Sequence, residues 1–462
     1  MVFSGLLFIF IYLPVTLAVY YLSPPKWRNA WLFAANLIFY GWGEPVYVLL
    51  MVFSVTLNYV SGLLVDARRD RGKLIIAVNT AVNLALLIFF KYYDFLAENL
   101  SAIPFLSFMH PLGITLPIGI SFYTFQTMSY PIDVYRGDAE VQRSYISFGT
   151  FVSLFPQLIA GPIIRYKSIA SQLTERSVDV RRFSAGVTRF CAGLAKKVLL
   201  ANNIGALWDV YASRDPSSLS AADAWLGAVA FSFQIYFDFS GYSDMAIGLG
   251  HMLGFEFCEN FDYPYISRSI TEFWRRWHIS LGTWFRDYVY IPLGGNRRGL
   301  ARQLLNICIV WALTGIWHGA SWNFLLWGVY YALLLMLEKL FLLKALKRAP
   351  AAVGHIYSLL LVVLGWVLFS VEDIGGCFRY IAAMFGAGGA LVSGSALYYL
   401  RSFAPTLAVL VLASTPLPKK LYSRLPDKAV SVLTPVLTAA ALLLSTAYLT
   451  DSTYNPFLYF RF

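Results

Sequence analysis

From Leu304 to Leu343 the chain runs through about 40 largely apolar residues, in which Glu338 and Lys339 are the only formal charges. A membrane crossing needs about 20 such residues, so this run has the length for two. In its middle stands Gly315-Ile316-Trp317-His318-Gly319-Ala320-Ser321-Trp322-Asn323. An ionisable group at membrane depth is costly, and where one is kept it usually lines a cavity or does chemistry. The neighbours of His318 are either small or large and aromatic. Gly315 and Gly319, four apart, let another helix or a thin ligand approach the backbone. Two readings stay open on these residues alone: a packing histidine at a helix contact, or a general base at the floor of a membrane cavity.

The rest of the chain is of the same kind. Of its 462 residues 58% are hydrophobic and 13% charged, about half the charge of an ordinary soluble domain. The expected fold is an all-α polytopic membrane protein forming one transmembrane domain over residues 1–462. The opening apolar stretch, Val2 to Leu22, lacks a basic leader and a small-residue cleavage site, and reads as a retained helix. Spans are expected near 3–22, 29–43, 46–65, 74–93, 115–135, 186–208, 223–250, 303–317, 322–343, 354–371, 397–415 and 430–449, about eleven or twelve helices. The net charge of +11 is split among short loops, which argues against nucleic acid. Lys26/Arg28, Arg68–Lys73, Arg136/Arg143, Lys344–Arg348 and Lys419–Lys428 all fit one orientation, with these loops cytoplasmic and both termini outside.

Two segments depart from simple spans. Residues 144–182 hold an apolar stretch, Tyr145 to Ile164, interrupted by Pro156 and Gly161-Pro162. It reads as a re-entrant or half-buried element packed against protein. Residues 268–288 place Ile270, Trp274, Trp277, Leu281, Trp284, Phe285 and Tyr288 at helical spacing, with Arg268, Glu272, Arg275, Arg276 and Arg286 opposite. That is the pattern of an amphipathic helix at the cytoplasmic membrane surface, with His278 turned away from water.

The candidates for chemistry follow. His318 and His278 are the two imidazoles with a mechanism, because burial keeps an imidazole neutral and able to take an alcohol proton. His278 also reads as an orienting or structural residue. His110, His251 and His355 read as structural or solvated. Asp238 and Asp244, with Gln234, are carboxylates and an amide inside an apolar span. They hold the bundle together by an internal salt bridge or hydrogen bond, or they line a substrate tunnel or orient a catalytic histidine. The arginines from 268 to 302 follow from positive-inside topology, or they attract a polyanionic cytosolic substrate such as a coenzyme A thioester. The cysteines Cys191, Cys258, Cys308 and Cys377 show neither disulfide nor metal spacing. No metal site and no bound cofactor is expected.

Several long motifs, in order, resemble the membrane-bound O-acyltransferase (MBOAT) family, in particular its bacterial branch of alginate and polysaccharide O-acetyltransferase membrane subunits. They are Leu116–Tyr123 (LPIGISFY), Ile132–Gly137 (IDVYRG), Phe155–Pro162 (FPQLIAGP), Tyr236–Ala246 (YFDFSGYSDMA), Thr271–Leu281 (TEFWRRWHISL) and Trp317-His318-Gly319. The motif-bearing core is about 110–345. The resemblance implies that His318 is catalytic and His278 supporting or catalytic, with the helices ringing a central passage. It implies an acetyltransferase using cytosolic acetyl-CoA and an extracytoplasmic hydroxyl, in the bacterial cytoplasmic (inner) membrane. The acceptor would be cell-surface polysaccharide, reached directly or through a secreted SGNH-like esterase partner. Arg275, Arg276, Trp274, Trp317, Asp238, Asp244 and Asn323 are the expected substrate-binding residues. Rival readings are D-alanyl export to teichoic acid, a secondary transporter or flippase, and a scaffold for an export complex. The aromatic tail, residues 455–462, is expected to anchor at the interface or to meet the partner.

Overall fold

A computed structural model describes residues 1–451 and Leu458; of the tail singled out above, 455–462, all but Leu458 falls outside the described residues. Every regular element among the described residues is helical. Among the described residues seven helices are long and apolar enough to cross a membrane: Val48–Ala67, Arg69–Leu100, Leu300–His318, Trp322–Arg348, Ala351–Ser370, Gly394–Ala413 and Asp427–Asp451. The chain is therefore a multi-pass, all-helical membrane protein.

The expected eleven or twelve spans exceed this count, and the difference has physical causes. Phe8–Leu22 is apolar but short. Arg28–Gly43 has 16 residues and Ile120–Arg136 has 17, less than the roughly 20 a crossing needs. The 186–208 window falls on Val180–Ala195, a π-helical turn at Lys196–Ala201 and Asn202–Ala212, which carry Arg189, Lys196 and Lys197. Residues 223–250 fall in a 33-residue helix, Ala221–Leu253, long enough to cross but bearing Gln234, Asp238 and Asp244.

The chain packs as two compact units, one built from Met1–Phe190 and Tyr242–Cys258, the other from Cys191–Gly241 and Glu259–Tyr448. In the first, Val48–Ala67 and Gly72–Leu100 are joined by buried amides. Asn79 Nδ2 donates to Asn58 Oδ1 at 3.1 Å and to Ser61 Oγ at 2.9 Å, and Asn58 Nδ2 donates to Asn83 Oδ1 at 3.2 Å. Interhelical amide bonds of this kind replace the hydrophobic drive that lipid removes. Tyr145–Ile164 is not one continuous helix. Tyr145–Ser153 is a 9-residue helix, and the irregular segment after it, from Leu154 through Ile164, is buried. Its backbone is satisfied from within, as where Phe155 N donates to Asn36 Oδ1 at 3.1 Å. Non-helical backbone inside a membrane protein requires such cover, so the re-entrant reading agrees with this packing. Gly119 makes room for it: its φ is +76°, and a Cβ there would lie 2.5 Å from the Leu158 carbonyl oxygen.

In the second unit we label α1 (Ala221–Leu253, shared between the units), α2 (Ile270–Arg276), α3 (Ile279–Phe285), α4 (Leu300–His318), α5 (Trp322–Leu337) and α6 (Ala351–Ser370). α4 and α5 form a hairpin so close that a Cβ on Gly315 would lie 2.4 Å from the Phe324 oxygen, and one on Gly328 2.4 Å from the Trp311 oxygen. Gly315 is thus a contact glycine, as its spacing suggested. Gly319 gives way to a ring instead, the Phe324 side chain. The amphipathic helix expected over 268–288 is not continuous. It breaks at Trp277-His278, where His278 adopts φ +46°, a left-handed backbone rare outside glycine. Periodicity survives the break because α2 and α3 each turn their aromatic residues inward, so the pattern alone does not reveal it.

The close hairpin gives a testable expectation. Gly328→Ala should lower thermal stability by about 1–3 kcal/mol through overpacking. Gly282→Ala, in α3 with nothing within 4 Å of its Cβ position, should be neutral or stabilising by up to about 1 kcal/mol. Thermal unfolding in detergent compares the two.

Candidate active site

The site is assembled from α2, α3 and the turn between them, together with the end of α4, the start of α5 and the end of α6. α2 begins at a buried carboxylate. Glu338 accepts from Ile270 N at 2.6 Å, Thr271 N at 2.8 Å and Thr271 Oγ1 at 2.6 Å. The first amides of a helix have no partner within it and carry its positive end, so one carboxylate satisfies both needs. Ser269 caps the same turn, its Oγ accepting from Glu272 N at 3.0 Å. Glu338 drew notice in the sequence only as a charge in an apolar run; its partners show why it is kept.

Seven residues later the chain leaves α2 and turns at His278. Asn260 holds that turn. Its backbone oxygen accepts from Ile279 N at 3.0 Å. Its Oδ1 accepts from Ser280 N at 3.1 Å and Ser280 Oγ at 2.9 Å, and lies 3.2 Å from His278 Nδ1. Trp277 is buried among Phe261 at 5.0 Å, Phe273 at 5.6 Å and Trp366 at 4.7 Å, ring centre to ring centre. Phe239 of α1 meets the His278 ring edge-on at 4.7 Å. Burial pushes the His278 imidazole down from 6.5 to about 3, so this ring is neutral across the physiological range.

His318 is the last residue of α4 and is buried. Its ring sits in an aromatic box, with Trp327 at 5.0 Å, Phe369 at 5.1 Å, Trp317 at 5.0 Å and Phe324 at 6.4 Å. Trp317 stands between the two histidines: its ring is 6.1 Å from that of His278. Two imidazoles 40 residues apart in sequence thus share one indole.

The other expected site residues divide. Trp274 packs on Trp311 at 4.6 Å, Tyr331 at 4.8 Å and Trp327 at 5.4 Å, tying α2 to the hairpin that carries His318. Asn323 Nδ2 donates to Phe369 O at 3.2 Å and is 3.4 Å from Leu368 O. It holds the last turn of α6, and with it the Phe369 wall of the box. Arg276 is engaged by Glu272 at 3.0 Å and Asp262 at 2.9 Å, while Arg275 is exposed. Asp238 pairs with Lys197 at 2.5 Å, both buried. Asp244 belongs to the other unit and pairs there with Arg189 at 2.7 Å. Both carboxylates therefore have the internal ion pairs weighed for them. Asn260, Lys197, Trp366 and Phe369 were missed. The one sequence signal among them is Lys197, a cation inside the apolar window 186–208.

The family profile described as MBOAT, membrane-bound O-acyltransferase family, matches residues 112–371, which contain both histidines. The chain belongs to the membrane-bound O-acyltransferase family. It is an O-acyltransferase. A Pseudomonas putida protein described as "Probable alginate O-acetylase AlgI" is 42% identical over 100% of both chains. A Helicobacter pylori "Peptidoglycan O-acetyltransferase" is 32% identical over 84% of this chain and 80% of its own. A Bacillus subtilis "Teichoic acid D-alanyltransferase" is 26% identical over 47% of this chain and 58% of its own.

Two outcomes are expected. Asp238→Leu leaves Lys197 buried without its carboxylate and should cost about 3–5 kcal/mol, whereas Asp238→Leu with Lys197→Met should recover most of it; thermal unfolding in detergent reads both. The lowered folded-state value of His278 means that its contribution is intact above pH 6.5 and is lost as pH falls from 6.5 toward 3, since only the unfolded chain takes the proton in that window. The His278→Gln variant should therefore lose less stability than the parent between pH 6.5 and 4.5, in the same assay.

Proposed function

We propose that the protein transfers an acetyl group from cytosolic acetyl-CoA to a hydroxyl outside the bacterial cytoplasmic membrane. The acceptor is a cell-surface polysaccharide, reached directly or through a secreted esterase-like partner. The observation that carries this reading is His318, a buried imidazole boxed by aromatic rings at the end of a membrane-crossing helix, sharing Trp317 with His278. The named activities of the relatives matched over most of their length agree with it. D-alanyl transfer is the weaker reading, because the D-alanyltransferases that match are 26% identical over 47% and 55% of this chain.

In this reading an imidazole nitrogen of His318 takes the proton of the acceptor hydroxyl as its oxygen attacks the thioester carbonyl. The carbon–oxygen bond forms, the carbon–sulfur bond breaks, and the proton passes to the departing thiolate of coenzyme A. The surrounding rings keep water from competing for the acetyl group. Exposed Arg275, Arg297 and Arg298 offer cations to the phosphates of the donor on the basic side. Acetyl-CoA is polyanionic and does not cross hydrocarbon, so a site at membrane depth needs to admit only the thin pantetheine arm.

His318→Ala in a protein that still inserts and accumulates should lower acetylation at least about 100-fold, the usual worth of a general base. Mass spectrometry of surface polysaccharide, with acetyl-CoA turnover in isolated membranes, makes the measurement. Normal acetylation in that variant would refute the assignment.

A further inference from the structure

Asn260 and His278 constrain each other in a way that goes beyond the assignment of a supporting histidine. A backbone N–H can only donate. Ser280 N lies 3.1 Å from one Asn260 side-chain atom, and Ser280 Oγ lies 2.9 Å from the same atom. That atom is therefore the carbonyl oxygen of the amide, whichever way the amide is drawn. The same oxygen lies 3.2 Å from His278 Nδ1. A ring nitrogen that faces a carbonyl oxygen at this distance must carry the hydrogen. A neutral imidazole has one such hydrogen, and the partner of one nitrogen decides the state of the other. Burial keeps this ring neutral.

The backbone supports the same arrangement. At φ +46°, His278 brings its own Nδ1 and the N–H of Ser280 onto one acceptor, while the N–H of Ile279 reaches the backbone oxygen of the same asparagine. Non-glycine residues persist in this region where their surroundings over-determine them, and such positions cluster at functional sites.

We propose that Asn260 is a positioning residue that fixes His278 as the Nδ1–H tautomer, so that Nε2 presents a lone pair and serves the acceptor hydroxyl rather than the acetyl carbonyl. The distinction is one of hydrogen-bond polarity. A thioester carbonyl has only lone pairs and cannot bond to an unprotonated nitrogen, whereas a hydroxyl donates to it. Within the proposed acetyl transfer, on which this assignment rests, the alcohol donates its one hydrogen to His278 Nε2 as the acceptor docks; rotation about its C–O bond then turns that hydrogen to His318, which takes the proton as the oxygen attacks.

The test uses the full chain in lipid nanodiscs with ¹⁵N-labelled histidine. The His278 resonances are identified by their loss in His278→Gln. Wild type should show a protonated Nδ1 and an unprotonated Nε2. Asn260→Leu, which removes the oxygen, should shift His278 toward the other tautomer and lower kcat at least tenfold with KM for acetyl-CoA unchanged. Asn260→Asp, which keeps an acceptor oxygen, should restore the tautomer and most of kcat. A protonated Nε2 in the wild type overturns the proposal, even where Asn260→Leu does not accumulate. An unchanged tautomer in Asn260→Leu overturns it too. The resonances do not depend on turnover. A wild-type protein with the expected tautomer and no acetyl-CoA consumption would instead refute the proposed function and leave the Asn260 geometry standing.

Discussion

A carboxylate set against the first turn of a helix satisfies amide protons that the helix itself leaves unpaired, and Glu338 does this for Ile270 and Thr271. Much of the site's geometry depends on that contact. It sets where α2 starts and therefore where the chain turns at His278. It also links α2 to the segment continuing α5, whose opening residues line the His318 box. Burying a charge is costly unless it is paired and hydrogen-bonded, and three short bonds meet that condition here. The charge that looked anomalous in an apolar run is the fastening between two parts of the site.

The polar groups around the two imidazoles follow the same logic. Asn260 gives one oxygen to a turn and a histidine. Asn323 holds the end of α6, which sets Phe369 against His318. Asp238 is matched by Lys197 one residue away from Phe239, the ring that touches His278. Between these fixed points the contacts are aromatic. Trp274, Trp327 and Trp317 pass from α2 through the hairpin to both histidines. Rigid rings and satisfied amides leave an imidazole few ways to turn, which suits a group that must meet a reacting atom in one orientation.

Much of this was legible before the fold. The histidine in its apolar run, the small residues beside it, the inward face of the 268–288 aromatics and the interrupted 144–164 stretch are local patterns. The covalent chain carries them, and the ordered motifs that resemble the acyltransferase family lie in the same stretches. Span counting was less secure, because it scores hydropathy and length in a window. Arg28–Gly43 and Ile120–Arg136 are too short, at 16 and 17 residues, and the buried segment following Ser153 is apolar but not helical. Hydropathy does not separate a side chain facing lipid from one facing protein.

What stayed hidden were the partners. That Lys197 meets Asp238, that Glu338 meets Ile270 and Thr271, and that Asn260 meets His278 depends on contacts across 18 to 68 positions of sequence. No periodicity encodes such pairings. The kink at His278 belongs with them, since a left-handed residue inside a helical pattern is held by its acceptors rather than by its own preference. Hydrophobic length and residue spacing are written along the chain and settle that it enters a membrane as helices and which faces turn inward. Which buried donor finds which acceptor is settled only when distant segments close around each other, because an unsatisfied group in a dry interior is too costly to leave.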